Sequence, residues 1–142
     1  MQLTRAADYA SRVMVHLAGL PAGTRLSLPA LAEAVEVPEQ FLSKVLQALG
    51  RSGLIQSQRG AAGGFELTAD PERVSLLDVV EAIEGPVQLN LCLAPGETCA
   101  RKYRCSVHYV WIEGQEALVA VLRKATIANL ARTAVREEGV WP

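Results

Sequence analysis

The chain has 142 residues, of which 50% are apolar and 20% charged, and its formal net charge at pH 7 is −1. This composition is typical of a globular domain and excludes a disordered or fibrous protein. Because no apolar run reaches the roughly 18 residues of a membrane span and no secretory signal is evident, we expect a cytoplasmic protein without a membrane partner.

The first 50 residues predict three helices. The first lies between Leu3 and Leu20, where apolar residues recur every three or four positions. A second, within "LSLPALAEAV", has Ser27 as its predicted N-cap. A third begins near Pro38 and ends at "GRSG". Its predicted apolar face consists of Phe41, Leu42, Val45, Leu46 and Leu49.

Polar side chains occupy the other face of the third predicted helix. They are Glu39, Gln40, Ser43, Lys44 and Gln47. Gln, Ser and Lys can read base edges or bind phosphates, so this face suits a helix that lies in a DNA major groove. A solvated helix face is the alternative interpretation. Two short helices joined by a tight turn have the size and order of a helix-turn-helix.

A β-hairpin is predicted directly after these helices. In "LIQSQRGAAGGFELT" two short segments, residues 54–58 and 65–68, flank a glycine-rich tip. The tip carries Arg59 beside Gly60, a cation next to backbone that can approach a phosphate or enter a groove. Together these elements predict a winged helix. The first 70 residues carry equal numbers of basic and acidic side chains, so we expect DNA affinity to depend on a dimer that doubles the phosphate contacts.

The second half predicts two more helices around an irregular segment. Ser75 is the predicted cap of a helix that runs to Glu84. From about Ser106 to Ala134 the pattern predicts one long helix, which a small core cannot cover, so part of it should meet a partner chain. The predicted fold is mainly α with a small β-wing. We assign residues 1–86 to a winged helix-turn-helix DNA-binding domain, 87–105 to a cysteine cluster-binding loop and 106–142 to a dimerisation helix and C-terminal tail.

All three cysteines lie in "CLAPGETCARKYRCSVH", residues 92–108. Six residues separate Cys92 from Cys99, five separate Cys99 from Cys105, and two separate Cys105 from His108. No two cysteines have the tight spacing of a zinc knuckle, whereas an iron-sulfur cluster tolerates looser spacing and accepts histidine as a substitute ligand. We therefore favour a cluster. A zinc site, a disulfide switch and unrelated packed thiols are the alternatives.

Two residues are candidates for the fourth ligand. His108 lies one helical turn beyond Cys105, at the start of the last predicted helix. Asp8 lies near the start of the first helix, and a dimer could bring it to the cluster of the other subunit. Elsewhere, no nucleophile with a base, carboxylate pair or phosphate-binding loop forms a catalytic motif, so we do not expect an enzyme.

Almost the whole chain resembles a family of bacterial winged-helix regulators that includes IscR, the nitric-oxide-sensing repressor NsrR and RirA. The resemblance rests on "MQLTRAADYASRVM", "FLSKVLQALGRSGLIQSQRGAAGGFEL", "SLLDVVEAIEG", the three cysteines and "ATIANL". It implies a homodimer with a long C-terminal dimerisation helix, binding to double-stranded operator DNA, and an iron-sulfur cluster on Cys92, Cys99 and Cys105.

The resemblance implies two forms of that cluster. "CSVH" resembles the IscR type, which implies a 2Fe-2S cluster held through His108, whereas "ADYASR" resembles the NsrR type, which implies a 4Fe-4S cluster ligated by Asp8 of the partner subunit. We predict a transcription regulator whose cluster senses redox state, nitric oxide or iron-sulfur supply. The alternative is a zinc-stabilised or disulfide-switched redox protein that is not a cluster-dependent regulator.

Overall fold

The computed structural model describes residues 2–96 and 99–136, so the predicted C-terminal tail, residues 137–142, lies outside the described residues. Within those ranges the chain forms six α-helices, two 3-10 turns and one two-stranded antiparallel sheet. In chain order the elements are α1 (Arg5–Ala18), α2 (Leu28–Val35), α3 (Glu39–Arg51), β1 (Ile55–Gln58), β2 (Gly64–Leu67), α4 (Leu76–Glu84), the 3-10 turns Leu91–Leu93 and Lys102–Arg104, α5 (Ser106–Lys124) and α6 (Ile127–Arg136).

The helix starts predicted from capping residues are confirmed. Ser27 Oγ accepts a hydrogen bond from the Ala30 N–H at 3.3 Å, at the start of α2. At the start of α4, Ser75 Oγ accepts from the Asp78 N–H at 3.2 Å, and the Asp78 carboxylate accepts from the Ser75 N–H at 2.8 Å. These caps satisfy backbone donors that the first helical turn leaves unpaired.

The main core forms around α1. This helix packs against α2, α3, α4 and α6, so N-terminal and C-terminal parts of the chain share one apolar interior. Fully buried side chains from four of these helices meet there, and they include Met14, Leu31, Leu42 and Ile127. Truncating a buried side chain of this size to alanine costs about 2–5 kcal/mol of folding free energy.

The prediction of one helix from Ser106 to Ala134 was wrong, because the structure has two helices with a break at Ala125 and Thr126. The Ala125 carbonyl accepts from the Leu76 N–H at 2.8 Å, and the Ile127 N–H donates to the Val74 carbonyl at 2.9 Å. These bonds fix the break against the start of α4, and Ile127 is buried in the main core. The chain therefore turns back, and α6 packs on α1 instead of extending α5.

A smaller apolar cluster joins α5 to α4. It contains Leu77, Val80 and Val87, packed against Leu118, Val119 and Leu122. Beyond this contact α5 presents apolar side chains to solvent, namely Val107, Tyr109, Val110, Trp111 and Val121. None of the described helices is long and apolar enough to cross a membrane.

Candidate nucleic-acid interface and cysteine site

Helix α3 presents the predicted DNA-reading side chains on its outer face. Leu42, Val45, Leu46 and Leu49 are buried and fix the orientation of the helix. On the outer side, Ser43 is half-buried and the other predicted residues are exposed. The exposed residues are Glu39, Gln40, Lys44 and Gln47. The structure therefore leaves this polar face accessible along the second helix of the helix-turn-helix.

Phe41 is not part of the buried face of α3, contrary to the sequence prediction. Its side chain is 56% exposed. It borders a cavity of about 260 Å³ between α1 and α3, which Tyr9, Arg5 and Lys44 also line. Arg5 is thus a second cation beside α3. Sequence reasoning missed it because only the packing of α1 against α3 brings Arg5 and Lys44 to one cavity.

The wing forms where the sequence predicted it. β1 and β2 pair antiparallel, with Ile55 opposite Leu67 and Gln58 opposite Gly64. Arg59 and Gly60 follow β1 at the tip, where both are exposed. Gly60 has a φ of 108°, a backbone conformation that favours glycine, so the tip can turn sharply next to the cation.

The wing is attached to the segment that precedes α2. The Leu26 N–H donates to the Phe65 carbonyl at 3.1 Å, and the Phe65 N–H donates to the Leu26 carbonyl at 2.8 Å. Gly64 allows this approach, because a Cβ atom there would lie 2.5 Å from the Leu26 carbonyl oxygen. The hairpin is therefore held at its edge by backbone hydrogen bonds as well as by its core-facing side chains.

Glu66 is a buried carboxylate on the face of the wing that points away from the main core. Its residue exposure is 6%, although the alternation of β2 places it opposite the core-facing Phe65 and Leu67. Its Oε1 accepts a hydrogen bond from the Gln56 amide and one from the Arg25 guanidinium at 3.2 Å. The Gln56 hydrogen bond, followed by that of Arg25, holds the pKa of Glu66 below its usual value.

The cysteine segment is anchored at its start to α4 and α5. Val87 is buried in the smaller apolar cluster. Two residues later, the Leu89 N–H donates to Gln115 Oε1 at 3.0 Å, and the Leu89 side chain lies beside Gly114, where a Cβ atom would be 3.3 Å from Leu89 Cδ1. These contacts hold the first 3-10 turn, and with it Cys92, against the first half of α5.

Cys92 and His108 are the predicted ligands that the structure brings into contact. The Cys92 Sγ lies 3.5 Å from the His108 Nδ1. His108 is only 4% exposed, and its buried Nε2 has no hydrogen-bond partner among residues 2–96 and 99–136. Buried polar atoms are normally paired. A ring whose Nδ1 lies beside a thiol, and whose buried Nε2 pairs with no described group, is therefore suited to be a ligand.

Cys99 and Cys105 lie on either side of the second 3-10 turn. Both are half-buried free thiols. The Cys99 carbonyl accepts from the Lys102 N–H at 3.0 Å, and the Cys105 carbonyl accepts from the His108 N–H at 3.1 Å. Within residues 2–96 and 99–136, no three side chains of His, Cys, Asp or Glu converge to hold a metal ion. The complete ligand set therefore stays a prediction.

Asp8 has a different environment from His108. Its carboxylate forms an ion pair with Arg12, one turn along α1, at 2.9 Å. Both side chains are about half exposed, at 53% for Asp8 and 48% for Arg12. Asp8 thus lies at the surface of α1, accessible to solvent and to a second chain.

The sequence matches a family model described as an iron-dependent transcriptional regulator, Rrf2, over residues 3–133. The chain belongs to the Rrf2 family. Among its relatives, NsrR of Bacillus subtilis is 32% identical to this Rrf2 protein over 133 residues, 93% of this chain and 91% of NsrR. NsrR of Geobacillus kaustophilus is 33% identical over 131 residues, 92% and 89% of the two chains.

A solved structure also matches this Rrf2 protein along nearly its whole length. CymR, the global cysteine regulator of B. subtilis, superposes with a TM-score of 0.76 at 26% identity, covering 94% of this chain and 98% of CymR. Membership confirms a mainly α, winged-helix fold and a DNA-binding transcriptional regulator. The relatives are regulators, in agreement with the prediction that the protein is not an enzyme.

Proposed function

We propose that this Rrf2 protein is a homodimeric regulator in which an iron-sulfur cluster on Cys92, Cys99, Cys105 and His108 changes the affinity for operator DNA. The observation that carries the proposal is the contact of Cys92 Sγ with His108 Nδ1 at 3.5 Å. The buried Nε2 of the same ring, which no described residue pairs, supports it. Asp8 of the partner subunit is the competing fourth ligand.

The donor set fits such a cluster chemically. Three free thiols and one imidazole match the ligands that iron-sulfur centres use. Three exposed cations, Arg101, Lys102 and Arg104, lie between Cys99 and Cys105 and can offset the negative charge of bound thiolates. When bound, the cluster supplies a redox-active, charged centre, and its signal is redox state, nitric oxide or iron-sulfur supply.

The polar face of α3 and the wing tip form the proposed DNA interface. Gln40, Lys44 and Gln47 are exposed on the outer face of α3, and in our proposal they meet base edges and phosphates in the major groove. Glu39 and Ser43 flank them, and Arg59 and Gly60 extend the interface along the wing. We add Arg5, because it borders the same cavity as Lys44.

We propose that a second copy of the chain covers the exposed apolar side chains of α5. Val107, Val110, Trp111 and Val121 are between 40% and 67% exposed on a helix that packs on α4 through the smaller apolar cluster. Exposed apolar patches of this kind mark interaction surfaces. A dimer through α5 would also present two recognition helices to one operator.

Contacts along the chain connect the proposed cluster site to the DNA-reading helix. Glu84, the last residue of α4, accepts hydrogen bonds from the Thr4 N–H at 2.7 Å and from Thr4 Oγ1 at 2.8 Å. Thr4 caps α1, and α1 packs on α3. The cysteine segment starts just after α4, so its rearrangement can shift α4 against α1. We propose that this shift changes the population of DNA-competent dimers.

Iron and sulfide analysis of anaerobically purified protein tests the cluster. We expect stoichiometric iron and acid-labile sulfide together with visible absorption. Replacing Cys92, Cys99 or Cys105 by serine should abolish all three signals. His16→Ala is the matched control, because it removes the other histidine of the chain, which lies on α1, and should keep them. Stoichiometric zinc without sulfide, or disulfide-linked protein without metal, would replace the proposal with a zinc or thiol-based site.

A further inference from the structure

The wing needs attachments to keep a fixed orientation. Each strand has four residues, and an isolated two-stranded hairpin of that size is marginally stable in water. Phe65 and Leu67 attach it to the core on one face, and the backbone hydrogen bonds to Leu26 attach it at one edge. These attachments leave the outer face of the hairpin to Glu66, Gln56 and Arg25.

Glu66 joins three segments through one carboxylate. Gln56 belongs to β1, Glu66 to β2 and Arg25 to the segment just before the Ser27 cap of α2. A buried carboxylate is unfavourable unless it is paired, so its two donors and the wing must keep their relative positions. The ion pair is only partly buried, because the Arg25 side chain is 36% exposed. Such a pair adds little to stability, so we assign it the role of specifying one arrangement of the three segments.

We propose that Glu66 is a positioning residue for DNA binding, which holds the wing against the helix-turn-helix so that Arg59 reaches DNA together with α3. Arg59 lies three residues beyond Gln56, at the tip of the same hairpin. The inference rests on the proposed contact of Arg59 with DNA. It adds that this contact depends on a carboxylate that lies outside the tip, in β2.

If Glu66 positions the wing, its removal weakens DNA binding, whereas the change in net charge alone predicts stronger binding. Removing a glutamate lowers the negative charge of the protein and should strengthen binding to DNA phosphates. A loss of affinity in Glu66→Ala therefore cannot arise from the change in net charge. Glu33→Ala on α2 is the charge-matched control, because Glu33 is exposed and lies outside the hairpin.

A double-mutant cycle on the full-length protein tests the coupling. The probe is a fluorescent duplex selected by the wild-type protein from a random-sequence library, and its Kd is measured over a range of salt concentrations. We expect Arg59→Ala to weaken binding about tenfold and to lower the salt slope by about one per subunit. Glu66→Ala should weaken binding several-fold, and the double variant should bind no more weakly than Arg59→Ala alone. Glu33→Ala should bind at least as tightly as the wild type.

A conservative variant keeps the test valid if Glu66→Ala is poorly folded. Glu66→Gln retains an acceptor for Gln56 and Arg25, so it should bind within about threefold of the wild type. Additive losses in the cycle, or full affinity in Glu66→Ala, would overturn the inference and leave the Arg59 contact intact. An unchanged Kd in Arg59→Ala would show that the wing contact of the proposed function is wrong, and the inference would be overturned with it.

Discussion

His108 is the residue on which the proposed cluster site depends most. It occupies the first turn of α5, where it is the buried residue of that helix, and Cys92 reaches it from a turn held by Leu89 and Gln115. Asp8 is instead ion-paired and half exposed on α1. Within one chain, His108 is thus the candidate that already contacts a predicted thiolate ligand.

Substituting the two candidate ligands separates them. We expect His108→Ala to lose the wild-type visible spectrum and much of its iron and sulfide, because no other imidazole contacts Cys92 in the described structure. Asp8→Ala should keep them, since its carboxylate pairs with Arg12. Anaerobic absorption spectra with iron and sulfide analysis provide the measurement. The reverse pattern would assign the ligand to Asp8 of the partner subunit, and a wild-type cluster in both variants would exclude both residues.

Single residues also show where sequence patterns stop being informative. Phe65 and Leu67 of β2 pack on the core, and the alternation of a strand would then leave Glu66 facing solvent. Glu66 is buried because Arg25, far away in the chain, covers it. For Phe41 the prediction fails in the opposite way. Its apolar side chain lies at the edge of the helical stripe and faces a cavity, so it is exposed where burial was expected. Such tertiary neighbours leave no local signal in the sequence.

At the scale of elements, the attachment of the wing depends on Gly64, because glycine has no Cβ atom to block the approach of Leu26. Gly64→Ala would place a Cβ atom 2.5 Å from the Leu26 carbonyl oxygen at a φ of 141°. We expect this variant to lose about 1–3 kcal/mol of unfolding free energy, measured by urea denaturation.

Gly50→Ala is the matched control for this substitution. Gly50 lies in α3, and a Cβ atom there would meet no atom of the described residues within 4 Å, apart from its chain neighbours and the helix's own backbone. It should gain about 0.5–1 kcal/mol, since alanine favours the helix. Equal effects of the two substitutions would show that the close approach at Leu26 does not matter.

The helices illustrate which elements local sequence can predict. Ser27 and Ser75 fix the starts of α2 and α4 through hydrogen bonds that span three residues, so the local sequence is enough to predict these starts. The end of α5 depends on bonds from Leu76 to Ala125 and from Ile127 to Val74. The apolar period continues through this break, and only the folded chain shows that α6 belongs to the core around α1.

At the scale of the whole molecule, the exposed apolar side chains of α5 predict the oligomeric state. Val110→Glu or Val121→Glu places a charge where we expect the partner helix, so either variant should become monomeric and bind DNA weakly. Light scattering coupled to size-exclusion chromatography measures the mass. Phe41→Glu changes an apolar residue on α3 that is also more than half exposed, and it should leave the dimer intact. A wild-type mass for both α5 variants would contradict dimerisation through this helix.

The cysteine site combines local and long-range information. The sequence spacing identifies the soft ligands and their order, and the Cys105 carbonyl bond to His108 is local. The approach of Cys92 to His108 depends on Val87 in the smaller core and on Gln115, so no motif could predict it. For the same reason, the convergence of all three thiolates depends on contacts between distant parts of the assembled molecule, and the local sequence does not determine it.

Operator binding with and without the cluster tests the central claim most directly. Anaerobically purified protein is divided into a cluster-containing sample and a sample from which iron and sulfide have been removed, and both are titrated with the same selected duplex. We predict that the two samples bind with clearly different Kd values, and that reconstitution with iron and sulfide restores the first value. Identical Kd values for the two folded, dimeric samples would contradict cluster-dependent regulation.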